Sequence, residues 1–114
     1  MTDCLFCKIA SGEVAATKVY EDDAIVAIKD IDPQAPVHLL VMPRDHYSGI
    51  HTVSPEQHSL YQRLFAAVTH VVEQQQLAPK GYRLVINFGE KAGQSVPHIH
   101  VHILSGRAMQ WPPG

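Results

Sequence analysis

The run His98-Ile99-His100-Val101-His102-Ile103, inside GQSVPHIHVHILSGR, alternates a polar ring with a β-branched residue without a break. In a strand, successive side chains point to opposite faces, so the imidazoles share one face and the aliphatic residues the other. The aliphatic face belongs in a core. The histidine face then presents three titratable rings in a row, roughly 7 Å apart by strand rise. The spacing predicts a final strand over HIHVHIL, residues 98–104.

The rest of the chain supplies partners for that strand. TKVYED and AIVAIKD are short β-prone runs joined at Asp22-Asp23, which suits a hairpin. HLLVMP and YRLVINF are further runs of strand length, and DPQAP must be loop. CLFCKIASGE reads as a turn entering a short helix that Gly12 stops. The long helix follows Ser54 as its cap, with Pro55 at its first position and Gln57 completing a capping box. Leu60, Leu64, Val68, Val71 and Val72 form its apolar stripe, with Phe65 beside it. The expected fold is α+β: an antiparallel sheet of about five strands, with one long and one short helix, helix lying on one side.

A chain of 114 residues makes one domain, residues 1–114. A net charge of -2 gives no basic field for nucleic acid or an anionic membrane. No segment reaches the ~18 unbroken apolar residues of a bilayer span. MTDCLFCKIA has an early acid and no apolar core, which predicts no signal peptide and a cytoplasmic protein. Cys4 and Cys7 are then not expected to form a structural disulfide.

Three chemistries suit the histidine face. One is a polar, solvent-facing strand side. Another is a metal cluster, since neutral imidazole is a good zinc ligand. The third is nucleophilic catalysis, with a ring nitrogen attacking phosphorus. The loop AGQS just upstream adds a glycine, the Gln94 amide and the Ser95 hydroxyl, donors that can cradle phosphate oxygens.

GQSVPHIHVHIL resembles the motif of the histidine triad family, His-φ-His-φ-His followed by apolar residues. YEDD, KDIDPQAPVH, LVMP, GYRLVIN and the tail SGRAMQWPPG extend the resemblance over nearly the whole chain. It is nearest to the histidine triad nucleotide-binding branch, the purine nucleoside phosphoramidases. The resemblance implies an α+β homodimer whose sheets join across a two-fold axis, a purine nucleotide substrate and no catalytic cofactor.

It also implies roles for individual residues. His100 would be the nucleophile that takes up the nucleoside monophosphate, which water then releases as AMP or GMP. His102 and Ser95 match positions that hydrogen-bond the phosphate, with Gln94 and Gly93 lining its loop and Asn87 in the same pocket. Asp30 matches the carboxylate that accepts from the ribose hydroxyls. Ile31, Leu40, Phe6 and Ile9 match the apolar slot for the base. His38 matches a histidine near the triad, and Trp111 a tail residue that reaches towards the partner subunit's site. Pro97 stands where an aromatic residue is common.

Two thiolates in Cys4-x-x-Cys7 can grip zinc from one turn, and His46 and His98 are candidates to complete four ligands. Members of the wider superfamily, including the galactose-1-phosphate uridylyltransferases, carry such a set. The implied zinc is structural, and His98 would serve either as its ligand or as a member of the catalytic relay. Rival readings are a dinucleoside polyphosphate or nucleotide-sugar hydrolase or transferase of the same superfamily, a nucleotide-binding regulatory module, and a protein binding metal through the triad itself.

Overall fold

The structure, a computed structural model, describes residues 3–114. In chain order it contains α1 (Leu5–Ala10), β1 (Lys18–Glu21), β2 (Ile25–Lys29), β3 (Val37–Pro43), α2 (Ser59–Gln74), β4 (Tyr82–Ile86) and β5 (Val101–Ser105). The five strands form one antiparallel sheet in the order β1-β2-β3-β5-β4. Asp22 builds the first hairpin: its Oδ1 accepts from the backbone N–H of Ala24 and of Ile25, each at 2.8 Å. Among the described residues, no helix is long and apolar enough to cross a membrane.

The sheet is covered on both faces, not one. Ile25, Ala27, Leu39, Val41, Ile99, Val101 and Ile103 pack under α2 against Leu64, Val68, Val71 and Val72. Burying each such side chain stabilises the fold by about 1.5–3 kcal/mol. The opposite face carries Val26, Ile28, Leu40 and Met42, and the short α1 lies over it with Phe6 and Ile9. A six-residue helix shows little periodicity, so its side of the sheet is not legible from spacing.

Two expected boundaries move. Pro55–Gln57 is a separate 3₁₀ turn, and α2 begins only at Ser59, with His58 at its cap and no side-chain capping bond. The Gln57 side-chain oxygen is already engaged, accepting from Tyr47 Oη at 2.7 Å and Ser54 Oγ at 3.3 Å, so the capping box does not form. The histidine strand begins at Val101 rather than His98. Pro97 has no N–H, and the amides of His98 and Ile99 donate to the carbonyls of Val96 and Tyr47 instead of a sheet neighbour.

Candidate active site

The period of two survives the shortened strand. Ile99, Val101 and Ile103 stay in the core under α2, while His98, His100 and His102 face the α1 side. His98 and His100 are buried and His102 is half-buried. β5 lies between β3 and β4, where His102 pairs with Leu40 on one side and Val85 on the other.

Backbone groups fix the proton on each ring. His100 Nδ1 sits 2.7 Å from the carbonyl oxygen of His98. A carbonyl only accepts, so Nδ1 carries the proton and Nε2 holds the lone pair. Burial lowers the His100 pKa, outweighing the His98 carbonyl and the more distant Asp30 carboxylate, which raise it. The ring is therefore held in one tautomer, and its burial favours the neutral form. The Phe6 ring stands edge-on to it, with centroids 4.9 Å apart and planes at 80°.

His102 is set by a second chain of bonds. The Gln34 N–H donates to His38 Nδ1 at 3.0 Å, so the His38 proton is on Nε2. That nitrogen lies 2.9 Å from His102 Nδ1 and 3.4 Å from Asp30 Oδ2. His102 accepts at Nδ1 and keeps its own proton on Nε2. Burial, and then the neighbouring His100 and His38, bring its pKa down to about 4.

Beside these rings is an apolar cleft of about 230 Å³. Of the twelve residues expected to contact nucleotide, eight line it: Phe6, Ile9, Asp30, Ile31, Leu40, Ser95, His100 and His102. Asn87, Gly93, Gln94 and Trp111 do not. The Gln94 side-chain amide is already engaged, accepting from Gly89 N of its own loop at 3.0 Å and donating to the Ser48 carbonyl, in the segment after β3, at 2.8 Å. Trp111 is exposed on the tail. The cleft also takes in Leu5, Val14, Ala15, Ala16, Ile28, Lys29 and Val96, none of them among the expected nucleotide contacts. Ile28 was recoverable, since alternation along β2 puts it on the same face as Val26. The segment Val14–Ala16 carries no comparable signal.

Behind the triad, Cys4, Cys7, His46 and His98 bring four ligand atoms within 4.8 Å of one another. Cys4 Sγ lies 3.3 Å from His98 Nδ1, Cys7 Sγ 3.6 Å from the same nitrogen, and Cys7 Sγ 3.5 Å from His46 Nδ1. A tetrahedral zinc at ordinary bond lengths holds sulfur and nitrogen about 3.6 Å apart, so the set fits. His98 Nε2 is 2.7 Å from the Pro43 carbonyl and carries the proton, which turns the Nδ1 lone pair towards the sulfurs. Asp30, His38 and His102 also cluster, but there the Gln34 N–H keeps the proton on His38 Nε2. A metal at that nitrogen would require an imidazolate, so this group is a hydrogen-bond relay.

The HIT domain family profile matches residues 11–109 of the chain. The chain belongs to the HIT family. It is 45% identical over 114 residues to a 14 kDa zinc-binding protein of Brassica juncea, covering 98% of this chain and all of that one. It is equally 45% identical, over 112 residues, to adenylylsulfatase HINT1 of Arabidopsis thaliana, covering 96% of this chain and 76% of the relative. The crystal structure of a HIT family hydrolase from Legionella pneumophila superposes with a TM-score of 0.93 at 46% identity, covering 98% of this chain and all of that one. The HIT domain match begins after α1, so both cysteines, Phe6 and Ile9 lie outside it.

Proposed function

We propose that this HIT family protein hydrolyses purine nucleoside 5′-phosphoramidates through a nucleotide carried on His100. The observation that carries this reading is the His100 Nδ1–H bond to the His98 carbonyl, which leaves a neutral Nε2 on a ring lining the cleft. Nε2 attacks phosphorus, the P–N bond breaks, and the amine leaves with a proton. His102, protonated on Nε2, supplies a donor for the phosphate oxygens or the departing nitrogen. Water then attacks phosphorus, breaks the bond to His100 and releases the nucleoside monophosphate.

The other contacts follow the same reading. Asp30 takes the ribose hydroxyls at the cleft mouth, and Phe6, Ile9, Ile31 and Leu40 enclose the base. Ser95 holds the phosphate, with Asn87, Gly93 and Gln94 shaping the surrounding loops. Cys4, Cys7, His46 and His98 hold a zinc that is structural and takes no part in the reaction. His98 then acts as ligand and, through its carbonyl, as the support of His100. The protein works as a cytoplasmic homodimer, with Trp111 directed to the partner's site.

The test is turnover of adenosine and guanosine phosphoramidates bearing a fluorogenic amine. His100→Gln should be slower by at least about a thousandfold and yield no nucleotide adduct by mass spectrometry. Equal rates would remove His100 from this role. A second reading, hydrolysis of adenylyl sulfate, is favoured by the name of the Arabidopsis relative. Sulfate leaves without protonation, so the two readings separate on kcat/KM for the two substrates measured side by side.

A further inference from the structure

We propose that Cys4, Cys7 and His46 are positioning residues for nucleotide binding: by holding a metal with His98 they clamp α1 as one wall of the cleft. The affinity for a purine nucleoside monophosphate then follows metal occupancy. The inference rests on the nucleotide reading of the cleft and adds a control on it.

The helix α1 has six residues, too few to be stable alone in water. It nevertheless supplies Leu5, Phe6 and Ile9 to the cleft. Its two ends are secured differently. At the C-terminal end, Arg44 Nη1 donates to the Ala10 carbonyl at 2.7 Å, while Arg44 Nε donates to the Asp22 carbonyl, also at 2.7 Å. These bonds need no metal. At the other end, Cys4 is the N-cap residue and Cys7 follows in the first turn, both facing His98.

Without a metal, that end keeps the apolar packing of Cys4 and Phe6, and its cysteines are linked to His98 and His46 only through weak sulfur hydrogen bonds between 3.3 and 3.6 Å. Phe6 lies between the two cysteines in sequence and meets both His98 and His100 edge-on, at centroid distances of 5.9 and 4.9 Å. Releasing the first turn therefore withdraws a base contact and a neighbour of the nucleophile together. Ile9, nearer the Arg44 anchor, is displaced less.

The experiment uses zinc-loaded wild type, chelated wild type, Cys7→Ser and His46→Ala; neither substituted residue lines the cleft. Cobalt substitution first checks loading through the absorption of a tetrahedral sulfur–nitrogen site. Two readouts need no turnover: AMP affinity by calorimetry, and hydrogen exchange across α1, where Lys8 N donates to the Cys4 carbonyl and Ser11 N to the Cys7 carbonyl. Metal loss should weaken AMP binding at least tenfold and speed exchange at Lys8 at least tenfold, with α2 and β5 still protected. Unchanged affinity or unchanged α1 exchange in metal-free protein overturns the inference. So does loss of protection throughout α2 and β5, which would make the metal a support of the whole fold. Phosphoramidate turnover by the loaded wild type is measured separately. If it is absent while AMP affinity tracks metal, the proposed reaction falls and this inference stands.

Discussion

His38 Nε2 lies 2.9 Å from His102 Nδ1, and the Gln34 amide decides which of the two rings donates. Because His38 Nδ1 is occupied as an acceptor, its proton sits on Nε2 and is directed to His102. His102 must then hold its own proton on the far nitrogen. A backbone N–H in the loop before β3 thus orients a donor on β5, through a ring on β3.

Replacing His38 with Ala should expose this dependence. His102 would be free to place its proton on either nitrogen, and the productive tautomer would no longer be enforced. The expected loss in kcat on adenosine 5′-phosphoramidate is on the order of a hundredfold, with KM nearly unchanged. His38→Gln, which keeps an amide donor, should recover part of that loss. An effect confined to KM would instead give His38 a binding role.

Stability should respond to pH through the same buried rings. Burial is the first cause that lowers the pKa of His38, of His100 and of His102, the last to about 4 from the usual 6.5. The unfolded chain therefore binds more protons than the folded one between these limits. The stabilisation is fully present above about pH 6.5 and is lost as pH falls towards 4. His102 alone accounts for at most roughly 3 kcal/mol, reduced by its partial exposure. Urea midpoints should be level from pH 7 to 8 and fall steadily below 6.5, less steeply in His102→Gln. A flat profile down to pH 4.5 would contradict the burial of these rings.

The period-two pattern carried most of the fold and the centre of the site. It put Ile99, Val101 and Ile103 on one face and three histidines on the other, even though the regular strand starts only at Val101. Local chemistry fixed the hairpin at Asp22 as well. Proton positions were not legible, because they depend on backbone groups of Gln34, Pro43 and His98, whose placement no side-chain pattern encodes. The capping box at Ser54 misled because a distant hydroxyl, that of Tyr47, competes for Gln57. The wall Val14–Ala16 is small and apolar, and only the fold brings it to the cleft.

Metal stoichiometry distinguishes the two histidine clusters. The protein should bind one zinc per chain, not two, because His98 offers a lone pair to its cysteines while His38 offers a proton to its neighbours. Metal analysis after dialysis should give close to one equivalent in wild type and in His102→Ala, and little in Cys7→Ser. Two tight equivalents in wild type, falling to one in His102→Ala, would show that the relay can yield to a metal.

The last expectation concerns β4, which among the described residues pairs with β5 alone and leaves its other edge open. Tyr82, Leu84 and Ile86 share the face of Ser105, Ile103 and Val101, yet they are 45%, 36% and 38% exposed, since α2 packs mainly on β1, β2 and β3. Phe65 of α2 and Ile50, 43% and 47% exposed, line one groove with Ile86 at the end of that strip. An open edge beside an uncovered apolar row favours pairing with a second strand. A second β4, related by a two-fold axis, would supply both the hydrogen bonds and the matching row. Wild type should sediment as a dimer, and Leu84→Lys with Ile86→Lys, which would place four like charges in that interface, should give a monomer at the same concentration. The zinc content should not change, since Cys4, Cys7, His46 and His98 cluster on the α1 side of the sheet. A doubly substituted protein that still sediments as a dimer would place the contact elsewhere.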